Sequence, residues 1–231
     1  EFSDLASFVY NSFSEESDRT AESLGSKAIL APTNVKVNEI NDYLLARFSN
    51  ENEVVYSSID SIDEDDQALL FPVEFLNSIN PSSLPPSRLC LKVGVIVMLL
   101  RNLAPSQGLC NGTRLICTEL RPNVIVAMIA AGPRTGSTVM IPRIDLTSDE
   151  ERVDVEFKRR QFPIRLAFAM TMNKAQGQTL NKLGLYLKDP VFSHGQLYVA
   201  MSRVRRPEDL RMIISKAHSL LHGWQGHYTA N

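Results

Sequence analysis

Four short, nearly continuous apolar runs constrain the fold of this chain more than any other feature of its sequence. They lie at residues 27–31, 164–170, 183–187 and 210–214. Strands of this kind are typical of a parallel sheet whose two faces are covered by helices. Stretches with helical spacing follow two of them, at residues 35–48 and 191–204. The alternation predicts the α/β class, with a doubly wound parallel sheet.

The middle of the chain has a different pattern. Between residues 89 and 146, short apolar stretches alternate with turn signals such as Asn111-Gly112 and Pro122-Asn123. We predict a small β-barrel inserted into the α/β domain, with residues 81–86 and 145–160 as connectors and an acidic surface loop at 57–66. The predicted parts are 1–88 (first part of the α/β domain), 89–160 (barrel and connector) and 161–231 (remainder of the domain).

Composition narrows the class of protein and its surroundings. The net charge of −2 over 231 residues gives no global basic field, so any contact with nucleic acid must be a local patch. No apolar run approaches the roughly 20 residues that span a bilayer, and we predict no membrane partner. Three cysteines without a CxxC pair favour a reducing compartment. We therefore expect an intracellular protein. The absence of an initiator Met predicts a fragment of a longer protein.

The glycine-rich stretch at residues 130–142 resembles a phosphate loop only superficially. Gly132 and Gly136 are one residue too close, and Ser137 stands where the lysine of a phosphate loop belongs. The residues that follow are β-branched or apolar and lead into Pro142. The stretch predicts a hairpin turn between two strands. We predict no metal site either, since His218, His222 and His227 lie near the end of the chain without a neighbouring cysteine or carboxylate.

Two polar segments are candidates for chemistry. FAMTMNKAQGQTL (168–180) places side-chain donors directly after a buried strand, at the edge where ligands collect in doubly wound sheets. An ordinary polar turn with a glycine cap would show the same spacing. GQLYVAMSRVRRPEDL (195–210) carries Arg203, Arg205 and Arg206 at the end of a helix, where cations are also simply favourable against the dipole.

Together these segments resemble a known family. TMNKAQGQTL is similar to the fifth conserved motif of superfamily-one helicases, and YVAMSRVRRPEDL to the sixth. ILAPTNVKVNEIN, EFLNSINPSSLPP and LKVGVIVMLLRNLAPSQGLCNGTRL resemble the PIF-type (petite integration frequency) DNA helicases, in the version carried by Helitron transposons. The resemblance covers roughly residues 4–215.

The resemblance implies an architecture and an activity. The chain would be the second RecA-like motor domain of an ATP-dependent 5′–3′ DNA helicase, and the inserted barrel would be of the Src-homology-three type. The family's phosphate loop and magnesium-binding acidic motif lie upstream of the matching segments. The N-terminal RecA-like motor domain of the same parent protein would therefore be a partner: ATP would bind between the two motor domains, and the N-terminal domain would hold Mg²⁺. This chain alone would be inactive. Single-stranded DNA is the other implied partner, in repair, recombination, telomere maintenance or transposition.

The resemblance also implies roles for individual residues. Arg203 matches the arginine finger of the sixth motif. Positions near the bound nucleotide are Gln176, Gly177 and Thr179, although some relatives carry a ribose-contacting Glu where this chain has Thr179. DNA contacts are expected from Thr171, Asn173, Lys174, Thr33 and Asn34, with Asn173 in place of a family histidine. Gln196 and Tyr198 are expected to position other groups.

Two other classes of function remain open from the residues. The chain could be a non-catalytic fragment that binds DNA or a protein through its barrel. It could also be an inactive scaffold derived from a transposon gene. A phosphate-loop sequence G-x-x-x-x-G-K-[ST] upstream in the reading frame would favour the motor over both.

Overall fold

The computed structural model describes residues 2–11, 20–48, 52–62, 71–81, 83–148, 156–188 and 194–214. The chain divides into two compact units. Unit 1 comprises residues 1–49 and 167–231, and unit 2 comprises residues 50–166. No helix in the described ranges is long and apolar enough to cross a membrane.

Unit 1 is built on a four-stranded parallel sheet. Its strands are β1 (Lys27–Ala31), β12 (Ala169–Thr171), β13 (Lys182–Leu187) and β14 (Leu210–Ile214), and their order across the sheet is β12-β1-β13-β14. Its helices are α1 (Phe2–Tyr10), α2 (Ala21–Gly25), α3 (Asn34–Arg47) and α5 (His194–Met201). The predicted α/β class and parallel sheet are confirmed. The strands predicted at 27–31 and 210–214 have the observed bounds, and the one predicted at 183–187 begins a residue earlier.

The order of the strands creates a switch point in unit 1. From β1 the chain returns to the sheet at β12 on one side, whereas from β13 it returns at β14 on the other side. Because parallel crossovers are right-handed, α3 and α5 belong on opposite faces of the sheet. Ligands of doubly wound sheets bind outside the carboxyl ends of the strands at such a point. The carboxyl ends of β1 and its neighbours are therefore the expected ligand edge.

Helix α1 packs closely on the sheet at Gly184 of β13. A Cβ at Gly184 would lie 3.1 Å from Val9 and 3.2 Å from both Leu5 and Ile29. A larger residue here would push these neighbours outward by a few tenths of an ångström, so glycine allows the closest approach. Tyr186 lies on the same face of the strand, since side chains alternate along it, and its ring packs edge-on to Phe2 of α1 at 5.8 Å. Phe2 also contacts Tyr43 of α3 at 4.8 Å, so α1 and α3 cover the same face.

Unit 2 is antiparallel and consists of three sheets. The largest has the order β11-β5-β6-β7-β8, and the others are β3-β10-β9 and β2-β4. The strands are β2 (Val54–Ser57), β3 (Ile59–Ser61), β4 (Arg88–Leu91), β5 (Ile96–Leu99), β6 (Arg114–Leu120), β7 (Val124–Ile129), β8 (Thr138–Pro142), β9 (Ile144–Thr147), β10 (Lys158–Gln161) and β11 (Ile164–Leu166). One short helix, α4 (Val73–Ser78), precedes β4.

The hairpin predicted in place of a phosphate loop is confirmed. β7 and β8 pair antiparallel, with Met128 opposite Thr138. Gly132 and Gly136 have φ angles of 98° and 86° in the turn between them, which glycine adopts without strain. The amide of Gly136 donates to the carbonyl of Ile129 at 2.9 Å, which closes the turn.

The apolar run at 164–170 was predicted as one strand, and this is wrong. Ile164–Leu166 pairs antiparallel with β5 in unit 2, whereas Ala169–Thr171 pairs parallel with β1 in unit 1. Both strands are buried, so they share one apolar run in the sequence although they belong to different sheets. The chain passes from unit 2 to unit 1 between residues 166 and 167.

The connector predicted at 145–160 and the acidic loop predicted at 57–66 are wrong over their described residues. Strands β3, β9 and β10 occupy much of these two segments and form one sheet. Arg159 on β10 and Asp60 on β3 form an ion pair at 2.6 Å in which neither side chain is exposed. Charged residues in these two segments therefore form a buried ion pair as well as part of the surface.

The boundaries of unit 2 differ from those predicted for the insertion. The compact unit begins at residue 50 and ends at 166, whereas the sequence pattern placed the barrel and its connector at 89–160. Helix α4 and strands β2 and β3 precede residue 89 and pack with the later strands. The assignment of a barrel of the Src-homology-three type stays a prediction.

Candidate functional site

The carboxyl edge of the unit 1 sheet brings together three predicted DNA-binding residues. Ala31 at the end of β1 lies opposite Thr171 at the end of β12. Thr33 and Asn34 follow β1 directly and begin α3. The hydroxyl oxygen of Thr33 accepts a hydrogen bond from the amide of Lys36 at 3.3 Å and so caps the helix. A hydroxyl that accepts one bond still has its own proton to donate.

A single 3₁₀ turn, Met172–Ala175, presents the next two candidates to solvent. Met172 and Ala175 are buried, while Asn173 and Lys174 are exposed. Residues three apart lie on the same face of a 3₁₀ helix, so the apolar pair anchors the turn and the polar pair faces outward. Thr171 is half-buried at the start of this turn. The fifth-motif donors therefore point away from the core.

Asn41 on α3 holds the strand that carries these donors, and the sequence analysis did not identify it. Its side-chain oxygen accepts from the amide of Ala169 at 2.8 Å, and its side-chain nitrogen donates to the carbonyl of Ala169 at 3.1 Å. β12 is an edge strand with only β1 beside it in the sheet. Asn41, 4% exposed, thus pairs with β12 as a neighbouring strand would.

A signal for Asn41 existed in the sequence. Val37, Ile40 and Leu44 form the buried stripe of α3, and Asn41 lies between them on the same face. A polar residue at a core position needs hydrogen-bond partners. Its presence there indicated a polar contact with a neighbouring element.

The segment from residue 172 to 181 runs from the carboxyl ends of the strands to their amino ends, which we call the carboxyl edge and the amino edge of the sheet. It begins beside Thr171 at the carboxyl edge and ends where the amide of Asn181 donates to the carbonyl of Ser26, at 2.7 Å, just before β1. β1 has five residues, which corresponds to about 16 Å along the strand. The fifth motif therefore reaches two distinct edges of unit 1.

Arg203 lies at the amino edge and contacts the end of this segment. Its carbonyl accepts from the amide of Leu180 at 2.8 Å, and its Nη1 donates to the carbonyl of Gln178 at 3.4 Å. Nε donates to the carbonyl of Val199 at 2.9 Å, and Nη2 to Oγ of Ser202 at 2.8 Å. These bonds engage three of the five N–H donors of a guanidinium, and two remain.

The neighbouring arginines differ from Arg203. Arg206 is held by Asp209 at 2.8 Å and lies 3.6 Å from Glu208. Arg205 is exposed. Of the three arginines, the half-buried Arg203 is the one that the structure joins to the fifth-motif segment.

The predicted nucleotide-contacting residues lie on the path between the two edges. Gln176, Gly177 and Thr179 are exposed. Gly177 has a φ of 76°, and a Cβ there would meet nothing within 4 Å, so the backbone conformation rather than space requires glycine. The structure joins Arg203 to Gln178 and Leu180, and shows no hydrogen bond between its side chain and these three residues.

Helix α5 places two further residues on opposite sides. Gln196 lies on the face of the buried Ala200, and Oε1 of Gln196 is buried without a hydrogen-bond partner in the described part of the chain. Tyr198 is 78% exposed. Within the described ranges, no group of three or more His, Cys, Asp or Glu residues is arranged to hold a metal ion. His218, His222 and His227 lie outside the described residues.

This arrangement suits the binding of anions at two places. The carboxyl edge offers hydroxyl, amide and ammonium donors together with the amino end of α3, which favours phosphate. The amino edge offers one arginine with free donors. An arginine in such a position stabilises negative charge that develops on a phosphoryl group.

Comparison with known proteins identifies relatives for most of the chain. Residues 74–120 match the sequence family described as DNA helicase Pif1, 2B domain. The chain is 37% identical over 130 residues to the ATP-dependent DNA helicase PIF1 of Rattus norvegicus, a match that covers 53% of this chain and 19% of that protein. It is 30% identical over 184 residues to the ATP-dependent DNA helicase Pif1 of Bdellovibrio bacteriovorus, covering 80% of this chain and 38% of the relative.

A solved structure has the same fold. The protein described as Bacteroides Pif1 bound to ssDNA superposes with a TM-score of 0.60 and 27% identity, over 80% of this chain and 40% of that chain. The chain thus spans less than half the length of each of these three proteins. Over the parts of the chain that they match, the family model, the relatives and the solved structure all support the PIF-type family of DNA helicases.

Proposed function

We propose that this chain is the C-terminal motor part of an ATP-dependent DNA helicase that translocates on single-stranded DNA and unwinds the duplex. The contact between Arg203 and the fifth-motif segment, at Gln178 and Leu180, carries the proposal. It links the candidate arginine finger to the segment that begins among the candidate DNA contacts. A motor requires such a link between hydrolysis and grip on DNA.

At the amino edge, Arg203 would contact the γ-phosphate of ATP held mainly by another domain. Its two remaining N–H donors fit a phosphate oxygen pair, and its charge stabilises the transferring phosphoryl group. Gln176, Gly177 and Thr179 would line the same side of the nucleotide. ATP, when bound there, supplies the free energy for movement.

Magnesium would be held by the N-terminal RecA-like motor domain of the same parent protein. The described residues of this chain bring together no carboxylate cluster that would replace that domain. We therefore infer that the parent's N-terminal motor domain is the partner that completes the ATP site. We also infer that this chain by itself does not hydrolyse ATP.

At the carboxyl edge, the donors of Thr171, Asn173, Lys174, Thr33 and Asn34 would hold the phosphates of single-stranded DNA. Asn173 and Lys174 are exposed, and Thr33 and Asn34 lie at the amino end of α3 beside the switch point of the sheet. Contacts to phosphates do not depend on the base sequence. This suits a motor that moves along any strand.

The biological setting is proposed from the resemblance alone. We propose 5′–3′ polarity, and a role in genome maintenance by repair, recombination or telomere maintenance, or in Helitron-type transposition. Each of these roles places the protein inside the cell, in the nucleus or in mitochondria.

The test uses the full-length protein that contains this chain. Arg203→Ala should lower DNA-stimulated ATP hydrolysis by about 10³–10⁵-fold, the range for an arginine finger. The affinity for ATP should change only a few-fold, because the other domain supplies most ground-state binding. Arg203→Lys should rescue poorly, since an ammonium lacks the planar fork. Arg205→Ala, an exposed neighbour, serves as the matched control and should retain activity.

Normal turnover in Arg203→Ala would refute the assignment of the finger. A full-length protein that binds single-stranded DNA without any ATP hydrolysis would instead support a non-catalytic binding fragment. The isolated 231-residue chain should show no hydrolysis above a protein-free blank.

A further inference from the structure

Arg165 is a half-buried arginine in unit 2 that the proposed site does not use. It lies on β11, opposite Met98 of β5. Its one hydrogen bond runs from Nη2 to the carbonyl of Pro81 at 3.5 Å, longer than the roughly 2.7–3.2 Å that is usual for such a bond. A guanidinium has five N–H donors. Arg165 therefore retains most of its donor capacity.

Arg159, close by, shows how this unit treats an arginine that it uses for its own structure. The guanidinium of Arg159 donates to both carboxylate oxygens of Asp60 at 2.6–3.1 Å. It also donates to the carbonyls of Leu76 at 2.9 Å and Pro85 at 3.1 Å, and to Oδ1 of Asn80 at 3.3 Å. Its charge and all three of its nitrogens are satisfied.

Arg165 lacks this compensation. Burial lowers the pKa of its guanidinium, and the positive charge of Arg159 lowers it further. No carboxylate in the described part of the chain forms an ion pair with Arg165 or offsets either effect. A cation in this position raises the free energy of the folded protein. An anion from outside the chain would remove that cost.

The position of Arg165 allows an outside group to reach it. β11 is an edge strand of the five-stranded sheet, with β5 on one side only. The side chain is partly exposed. A planar guanidinium with free donors binds phosphate oxygens in pairs, which neither a lysine nor a neutral donor does.

We propose that Arg165 is a phosphate-binding residue in unit 2 that contacts the backbone of single-stranded DNA. This inference rests on the proposed function, because it takes the anion to be the strand on which the motor moves. It adds a contact in unit 2 to those at the carboxyl edge of unit 1. Because Arg165 has no carboxylate partner in the free protein, it can bind a phosphate without first breaking an ion pair.

The experiment measures single-stranded DNA binding by the full-length protein at several salt concentrations. Arg165→Met keeps the aliphatic stem and removes the charge. It should weaken binding at low salt by about 10- to 100-fold, the range for hydrogen bonds to a charged group. It should also lower the slope of log affinity against log salt by about 0.7, the value for one phosphate of a single strand. Arg165→Lys should keep the slope.

A matched control removes the same charge elsewhere in unit 2. Arg160 is exposed and paired with Asp145 at 3.1 Å, so its charge is already balanced. Arg160→Met should leave affinity and slope close to those of the unchanged protein. Arg165→Met should also leave the melting temperature of the free protein unchanged or raise it, because it removes an uncompensated charge. A merely structural arginine would lower it.

A second arm locates the contact on the strand. A single neutral methylphosphonate is moved along the oligonucleotide. At one position it should weaken binding to the unchanged protein, and Arg165→Met should be insensitive to it there. The affinity for ADP should be the same in both proteins.

Different results overturn different statements. Equal affinity and slope in Arg165→Met and the unchanged protein would refute the inference and leave the proposed function intact. A loss of ADP affinity, or an equal loss in Arg160→Met, would also refute it. If the unchanged full-length protein did not bind single-stranded DNA at all, the proposed function itself would fail.

Discussion

The two units of this protein place their polar side chains in opposite ways. In unit 1, the candidate donors lie at the ends of strands, and Asn173, Lys174 and Asn34 are exposed. In unit 2, the ion pair of Asp60 and Arg159 lies in the interior, with neither side chain exposed. The parallel sheet is held by apolar burial and leaves its polar residues for ligands. The antiparallel unit uses a polar network for its own cohesion.

The difference predicts what happens when a polar residue at a strand end, or one in the interior, is replaced. A donor at a strand end has water as an alternative partner, so its loss affects binding more than folding. A charge inside the protein has no alternative partner, so its loss affects folding first. Substitutions in the two units should therefore separate stability from DNA binding.

The largest effect is expected from Arg159→Met in unit 2. Removing one partner of a buried pair leaves Asp60 charged and unpaired, which costs about 3–5 kcal/mol. Amide hydrogen exchange of the full-length protein should show this loss in β3 and β10 and little change in the unit 1 sheet. The double variant Arg159→Met with Asp60→Leu should recover part of the stability. An equal loss in both units would contradict the separation.

An intermediate effect is expected from Asn41→Ala, which tests the exception in unit 1. Asn41 is a buried polar residue like Asp60, and its removal leaves the amide and carbonyl of Ala169 without a partner. The expected loss is about 1–3 kcal/mol, seen as faster amide exchange in β12. Single-stranded DNA binding should weaken too, because β12 carries Thr171. Val35→Ala, at an exposed position on the same helix, is the control. Unchanged exchange in β12 would show that β1 alone holds the strand.

The smallest effect on folding is expected from Thr171→Ala combined with Asn173→Ala. Loss of neutral hydrogen bonds at about 0.5–1.5 kcal/mol each implies a roughly 2- to 100-fold weaker binding of single-stranded DNA. The loss should be similar for every base sequence. The salt slope should hardly change, since neither side chain is charged. Fluorescence anisotropy at several salt concentrations measures both quantities.

Lys174→Ala provides the charged counterpart at the same turn. If its ammonium binds a phosphate, the salt slope should fall by about 0.7. Unchanged affinity in the Thr171–Asn173 double variant, with its melting temperature intact, would remove these residues from the DNA path.

The sequence predicted unit 1 better than unit 2 for a physical reason. Apart from Lys27, β1 is apolar, and all of its residues are buried because both faces of a central strand are covered. Hydrophobicity therefore indicates its bounds. The run at 164–170 is equally apolar, yet it serves two sheets. Hydrophobicity indicates that a strand is buried, but it does not show which other strand it pairs with.

The candidate site was predictable only in part. Strand ends and polar runs indicated Thr171 and Asn173, while the roles of Arg203 and Gln176 came from resemblance to a family. Asp60 and Arg159 are 99 residues apart, and nothing local to either predicts the pair. The sequence analysis also did not identify Arg165, because the burial of its side chain and its lack of a carboxylate partner are properties of the folded structure.

The insertion of unit 2 between β1 and β12 also sets an order of assembly. Unit 2 is one continuous stretch, whereas β1 lies between β12 and β13, both of which follow unit 2 in the chain. During synthesis, unit 2 is therefore complete while β1 still has neither of its sheet neighbours. Pairing between strands so far apart in the sequence is slow, and the apolar surface that is exposed before they pair is prone to aggregate. A chain interrupted before residue 169 thus leaves β1 without a paired strand on either side, and we expect such a chain to be a target for chaperones.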